Sequence, residues 1–206
     1  MAEESYREYV AGNLERLRRP GRVPSPCVTP SPTGTVIVGG GTPLHPVTES
    51  CGDAIARLTD VLNGILGRDL PGVELRNARD GSALPPLVER DPHWATAYAA
   101  GFGLGEGEFR SVLGLTVYAA AESPERQADY LPCAAGNPNC GRLTVGATIV
   151  LIHRGDRPMA VQLNAYRPDG TSMILVGRAA AAGNKLPFTE EQLLSIVTAP
   201  ELTLYP

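Results

Sequence analysis

ATIVLIHRGDRPMAVQLNAYRPDGTSMILVGR, residues 147 to 178, carries three runs of strand-forming residues separated by two short turn sequences. The second turn, Arg167-Pro168-Asp169-Gly170, is the clearest local signal in the chain. Proline presets φ for the first central position of a turn, and glycine accepts the positive φ that follows. On the arm before it, Val161, Leu163 and Ala165 alternate with Gln162, Asn164 and Tyr166, the period of a strand with one buried and one wet face. The arm after it runs from Ser172 to Arg178. Thr148 to His153 is apolar almost throughout and reads as a central strand buried on both faces. Gly155-Asp156-Arg157-Pro158 turns it into the next arm, so the stretch is an antiparallel meander.

The end of the chain supplies a helix to cover such a sheet. Thr189-Glu190-Glu191-Gln192 is a capping box, Phe188 and Leu193 are placed as its hydrophobic staple, and Pro200 stops it. A second helix begins after Thr48 or Ser50, carries Asp53 in its first turn and sets Ile55, Leu58, Leu62, Ile65 and Leu66 on one face, with Gly67 as its stop. Leu70 to Leu75 leads into a strand, and Asp80 to Pro92, with three prolines, reads as loop. Trp94 to Phe102 fits either strand or helix. Gly101 to Glu108, with four glycines, reads as a loop or a hairpin connection. Ser111 to Ala120 resumes strand character, and Glu122 to Asp129 reads as a charged surface excursion. Before all of this, Ser5 to Arg19 has loose helical spacing, and Val23 to Gly34 alternates Pro24, Pro26, Pro30 and Pro32 with small residues, as a linker does.

Composition narrows the function. The 206 residues are 43% hydrophobic and 19% charged, enough for one sizeable core. A net charge of -4 and an aromatic content of 5% argue against a nucleic-acid partner, which would need a basic footprint or a stacking surface. No run reaches the ~18 apolar residues of a spanning helix. Met1 to Ser5 lacks the basic-then-apolar order of a signal peptide. Taken literally this predicts a cytoplasmic chain, although a piece of a membrane-anchored parent reads the same way. Thr35 to Val38 followed by Gly39-Gly40-Gly41 invites comparison with a dinucleotide fingerprint. The comparison fails because Leu44 replaces the third small residue and Pro43 and Pro46 interrupt the place of the helix.

The four cysteines are the strongest chemical signal. Six turn-forming residues separate Cys133 from Cys140, so that loop brings its ends within disulfide reach in an oxidising compartment. Cys27 and Cys51 flank the glycine loop and read either as a second bridge or as two unpaired thiols. Neither spacing suits zinc, and His45, His93 and His153 lie far apart, so no metal and no cofactor is expected. No Gly-x-Ser-x-Gly nucleophile turn occurs. Glu106, Glu108, Glu122 and Glu125 are carboxylates without a fixed separation, which reads as solvated surface. Asp91-Pro92-His93-Trp94 is the first choice for a ligand contact, with Asp91, His93 and Trp94 as its side chains, and His153 beside a turn is the next.

The order Leu131-Pro132-Cys133, Cys140, Arg167-Pro168-Asp169-Gly170-Thr171, then Leu186-Pro187-Phe188-Thr189 and Gln192-Leu193, resembles the extracytoplasmic C-terminal domains of unknown function found in many high-GC Gram-positive bacteria. Those domains often stand behind a membrane anchor. Leu70-Pro71-Gly72-Val73 after a helix fits as well, and the likeness runs from about Asp53 to Tyr205. It implies a place outside the cytoplasm with Cys133 and Cys140 bridged, and carries no catalytic residue with it.

These readings converge on an α+β domain over residues 35–206, behind a helix and proline-rich linker in residues 1–34. The expected sheet is mostly antiparallel with about five strands, covered on one face by helices Cys51 to Leu66 and Thr189 to Val197. The expected function is non-enzymatic extracytoplasmic sensing or interaction with an unidentified protein or small molecule. Two other classes stay open: an enzyme or carrier with a pocket between sheet and helices that uses His93 or His153, and a structural or assembly subunit.

Overall fold

The structure, a computed structural model, describes residues 43–77, 89–90, 97–104, 111–133, 136–156, 159–179 and 185–206. The strands are β1 (Leu75–Asn77), β2 (Glu89–Arg90), β3 (Ala97–Leu104), β4 (Ser111–Ala119), β5 (Cys140–Val145), β6 (Thr148–Asp156), β7 (Met159–Tyr166) and β8 (Thr171–Ala179). The helices are α1 (Cys51–Asp69), α2 (Pro124–Tyr130) and α3 (Glu190–Thr198). All strands join one antiparallel sheet in the order β1-β3-β4-β8-β7-β6-β5, with β2 also on β3. Because β1 pairs with Phe102 to Leu104 and β2 with Tyr98 and Ala99, the two share the outer edge of β3. The sheet is therefore seven positions wide, broader than the expected five. The additional strands at its edges are short or poor in alternation, which is why no period announces them.

The meander forms as β6, β7 and β8. Its turn closes through Gly170 N–H donating to Arg167 O at 3.2 Å and Arg167 N–H to Thr171 O at 3.1 Å, with Gly170 at φ 87°. Asp169 accepts the Thr171 N–H at 2.7 Å, the local bond that favours aspartate in turns. β8 then returns to the middle of the sheet and pairs with β4 along the whole of both strands, from Ser111↔Ala179 to Ala119↔Thr171. Trp94 to Phe102, ambiguous by pattern, is strand from Ala97 onward, and the glycines at 101 and 103 lie inside β3.

One face of the sheet holds the main core. Leu113, Leu115, Val117, Val150, Ile152, Leu163, Ala165, Met173 and Leu175 pack there with Leu58, Leu62 and Leu66 of α1 and Leu193, Ile196 and Val197 of α3. Ser50 caps α1 by accepting the Asp53 N–H. That helix runs past Gly67 to Asp69, because Leu70 is also buried and prolonging the helix keeps it on the core side, one turn after Leu66. Asp69 then docks on α3: its carbonyl accepts from Gln192 Nε2 at 2.8 Å and its carboxylate from Ser195 Oγ at 2.9 Å. The Thr189/Gln192 capping box is complete, with both reciprocal bonds made.

Three readings are corrected. Glu122 to Asp129, expected as a charged surface excursion, is mostly helix: Ser123 caps α2, Pro124 opens it, and Gln127 and Ala128 are buried while Glu125, Arg126 and Asp129 stay at the surface. This third helix covers the face of the sheet opposite to α1 and α3, where Ala128 packs with Ile149, Leu151 and Tyr166. The side of β7 expected to be wet is consequently dry, with Gln162, Asn164 and Tyr166 all buried. The loop expected from Asp80 to Pro92 contains β2; its other residues, like residues 1–34 and the Thr35 to Val38 strand, lie outside the described ones. No helix among the described residues is long and apolar enough to cross a membrane.

Candidate functional site

The face that carries α2 has a polar floor, and the sheet register builds it in rows. One row crosses the sheet as Gly101, Gly114, Val176, Gln162, His153 and Cys140. The next reads Ala99, Thr116, Ile174, Asn164, Leu151 and Arg142. Side chains alternate along each strand, so all of these project to the same face. The glycine end of the first row is low: Gly101 and Gly114 are register partners, and a Cβ at Gly114 would meet nothing within 4 Å. Its other end is raised by the Cys133–Cys140 disulfide, whose Cα atoms are 5.3 Å apart. On a third side α2 stands over the row of Tyr118, Ser172, Tyr166 and Ile149. The result is a trough with amides and an imidazole along its middle.

Most polar groups beneath α2 are matched. Ser172 Oγ donates to Gln127 Oε1 at 2.9 Å, and Gln127 Nε2 donates to Glu122 O at 2.9 Å. Burial pushes the Tyr166 hydroxyl up to about 12, so it stays protonated. In the centre, Gln162 Nε2 donates to Asn164 Oδ1 at 2.9 Å. Asn164 is only 1% exposed, yet its Nδ2 has no hydrogen-bond partner among the described residues. His153 Nε2 is in the same condition. Two further buried atoms share it, Asn63 Oδ1 on α1 and Glu122 Oε2 ahead of α2, but each belongs to a different element from the central pair.

The disulfide fixes what His153 offers. Its Nδ1 lies 3.5 Å from Cys140 Sγ. A bridged sulfur has no proton and only accepts, so Nδ1 carries the hydrogen and Nε2 presents a lone pair. Burial lowers the His153 pKa, which holds the ring in this neutral form. The floor therefore holds one buried, unmatched donor, Asn164 Nδ2–H, and one buried, unmatched acceptor, His153 Nε2, on adjacent strands. Desolvated groups of this kind cost on the order of 1–3 kcal/mol each until they find partners.

Of the side chains expected to touch a ligand, His153 is in this trough, whereas Asp91, His93 and Trp94 lie outside the described residues. Cys133 and Cys140 are bridged as expected. Cys51 opens α1 and is itself disulfide-bonded; Cys27 lies outside the described residues. His45 is remote from His153, with its ring edge-on to Tyr205 at 5.7 Å beside the Gly170 turn. No cluster of metal-ligating side chains occurs among the described residues. Gln162 and Asn164 are the site residues that alternation alone assigned to solvent. A signal against that assignment was present: a β6 apolar on both faces requires cover on both, and its neighbour β7 shares that cover. No family model matches this chain, and neither a curated protein nor a solved structure does.

Proposed function

We propose that this chain is a non-enzymatic sensing or interaction domain that works outside the cytoplasm and recognises its ligand or partner on the α2 face. The observation that carries this reading is the Cys133–Cys140 disulfide. Such bridges persist where the surroundings are oxidising and are scarce where glutathione and thioredoxin keep thiols reduced. Here the bridge ties the exit of α2 to the first residue of β5 and sets the tautomer of the imidazole beside it. Its loss would loosen one wall of the trough. The groups on the floor, two amides and a neutral ring, suit recognition by hydrogen bonding.

The test is to trap thiols at lysis in the native host and count modified cysteines by intact mass, before and after reduction. Cys133 and Cys140 oxidised together in freshly trapped protein is the expected result. Both thiols free in the cell would overturn the compartment and return the chain to the cytoplasmic enzyme or assembly classes.

A further inference from the structure

The two unmatched atoms on the trough floor define what would complete them. We propose that the His153–Asn164 pair is a binding subsite for a neutral group that donates and accepts a hydrogen bond at once, a hydroxyl or a carboxamide carried by a small polar molecule. This deepens the reading of the α2 face as a recognition surface and rests on it.

The argument has three steps. Asn164 Nδ2 is a donor without a partner on a side chain that is 1% exposed, and its Oδ1 is already taken by Gln162, so the amide cannot turn to satisfy itself without breaking that bond. His153 Nε2 is an acceptor, because Nδ1 spends its hydrogen on the Cys140 sulfur. The two residues sit on neighbouring strands and in neighbouring rows of one face, the diagonal relation in which side chains of this length reach a common small group. A carboxylate would meet the Nε2 lone pair with its own and be repelled. An ammonium would find an acceptor at His153 and only a donor at Asn164. A hydroxyl or carboxamide satisfies both.

The experiment is a titration of the ¹⁵N-labelled, oxidised full chain with glycerol as the hydroxyl probe and, separately, acetamide as the carboxamide probe. Each is raised to about 0.1 M, because fragments of a few heavy atoms bind weakly. Saturable shifts of the Asn164 side-chain amide and the His153 Nε2 resonance by one probe are expected. A response to glycerol points to a polyol or sugar, and one to acetamide to a peptide or other amide. His153→Phe keeps a ring without the acceptor, and Asn164→Asp keeps Oδ1 for Gln162 without the donor. Each is expected to weaken binding about tenfold, as the loss of one hydrogen bond does. Should either variant fail to fold, the wild-type titration still decides. No saturable shift from either probe would overturn the proposal, and so would binding unchanged in both folded variants. Cysteines found bridged in the host alongside such a negative titration would keep the compartment reading and remove only the ligand assignment.

Discussion

Gly177 shows how narrowly one position is specified. It lies on the core face of β8, and the Phe188 ring, next to the α3 cap, rests directly on its backbone. A Cβ there would come within 2.6 Å of Phe188 Cζ and 2.7 Å of Cε2. Phe188 is held by the Thr189 capping box that follows it, so the ring cannot withdraw freely. Gly177→Ala is therefore expected to destabilise the fold by about 1–3 kcal/mol, the usual cost of overpacking, in a urea titration with the disulfides intact. An unchanged midpoint would show that the ring has room to move. Phe188 is legible as the staple of the α3 cap, but its contact with Gly177 is not, since a glycine inside a strand reads as weakness until its neighbour across the core is known.

At the scale of elements, Arg167 joins the β7–β8 turn to the end of α3. The side chain is 5% exposed, and its guanidinium donates to Leu202 O at 3.0 Å, Pro200 O at 3.4 Å and Val197 O at 3.5 Å, and also to Ala199 O. A helix C-terminus presents carbonyls without internal partners and the negative end of the dipole, and one planar cation answers both. Burial lowers the Arg167 pKa, opposed by Asp169 and Glu201, and the group stays charged. Arg167→Met is expected to cost about 3 kcal/mol or more, read as a lower thermal midpoint, because the carbonyls stay buried and unmatched. Arg167→Lys should recover little, since an ammonium lacks the fork that spans several acceptors. Elements of this kind were largely legible in the sequence: Pro168-Asp169-Gly170 gave the turn, and Thr189 with Gln192 gave the cap. The helix α2 was legible too, in Ser123 followed by Pro124, but its charged residues drew the reading toward solvent. What no local pattern showed is that Arg167 belongs to α3, or that Gln162 and Asn164 lie under cover, because both depend on contacts made far along the chain.

At the scale of the whole molecule, stability is expected to depend on pH in part through His153. Burial sets its folded pKa below the unfolded value of about 6.5, so the unfolded chain binds more protons as pH falls through that region. The contribution from keeping the ring neutral is complete above about 6.5 and is lost progressively as pH drops below it toward the folded value. Unfolding free energy measured across this window should decline with acidity in the wild type and decline less in His153→Phe; parallel curves would show that the ring titrates freely in the folded state. The sheet itself has a further consequence in time. β4 and β8, its central pair, are separated in sequence by α2, β5, β6 and β7, so the middle of the molecule is sealed after its margin. Until Thr171–Ala179 arrives, the exposed rim of Ser111–Ala119 is a row of unpaired amides and carbonyls on which another copy can template. A chain so arranged is expected to fold slowly for its size and to pass its most vulnerable moment half-made, and a chaperone that shields that rim would raise its yield more than any gain in final stability.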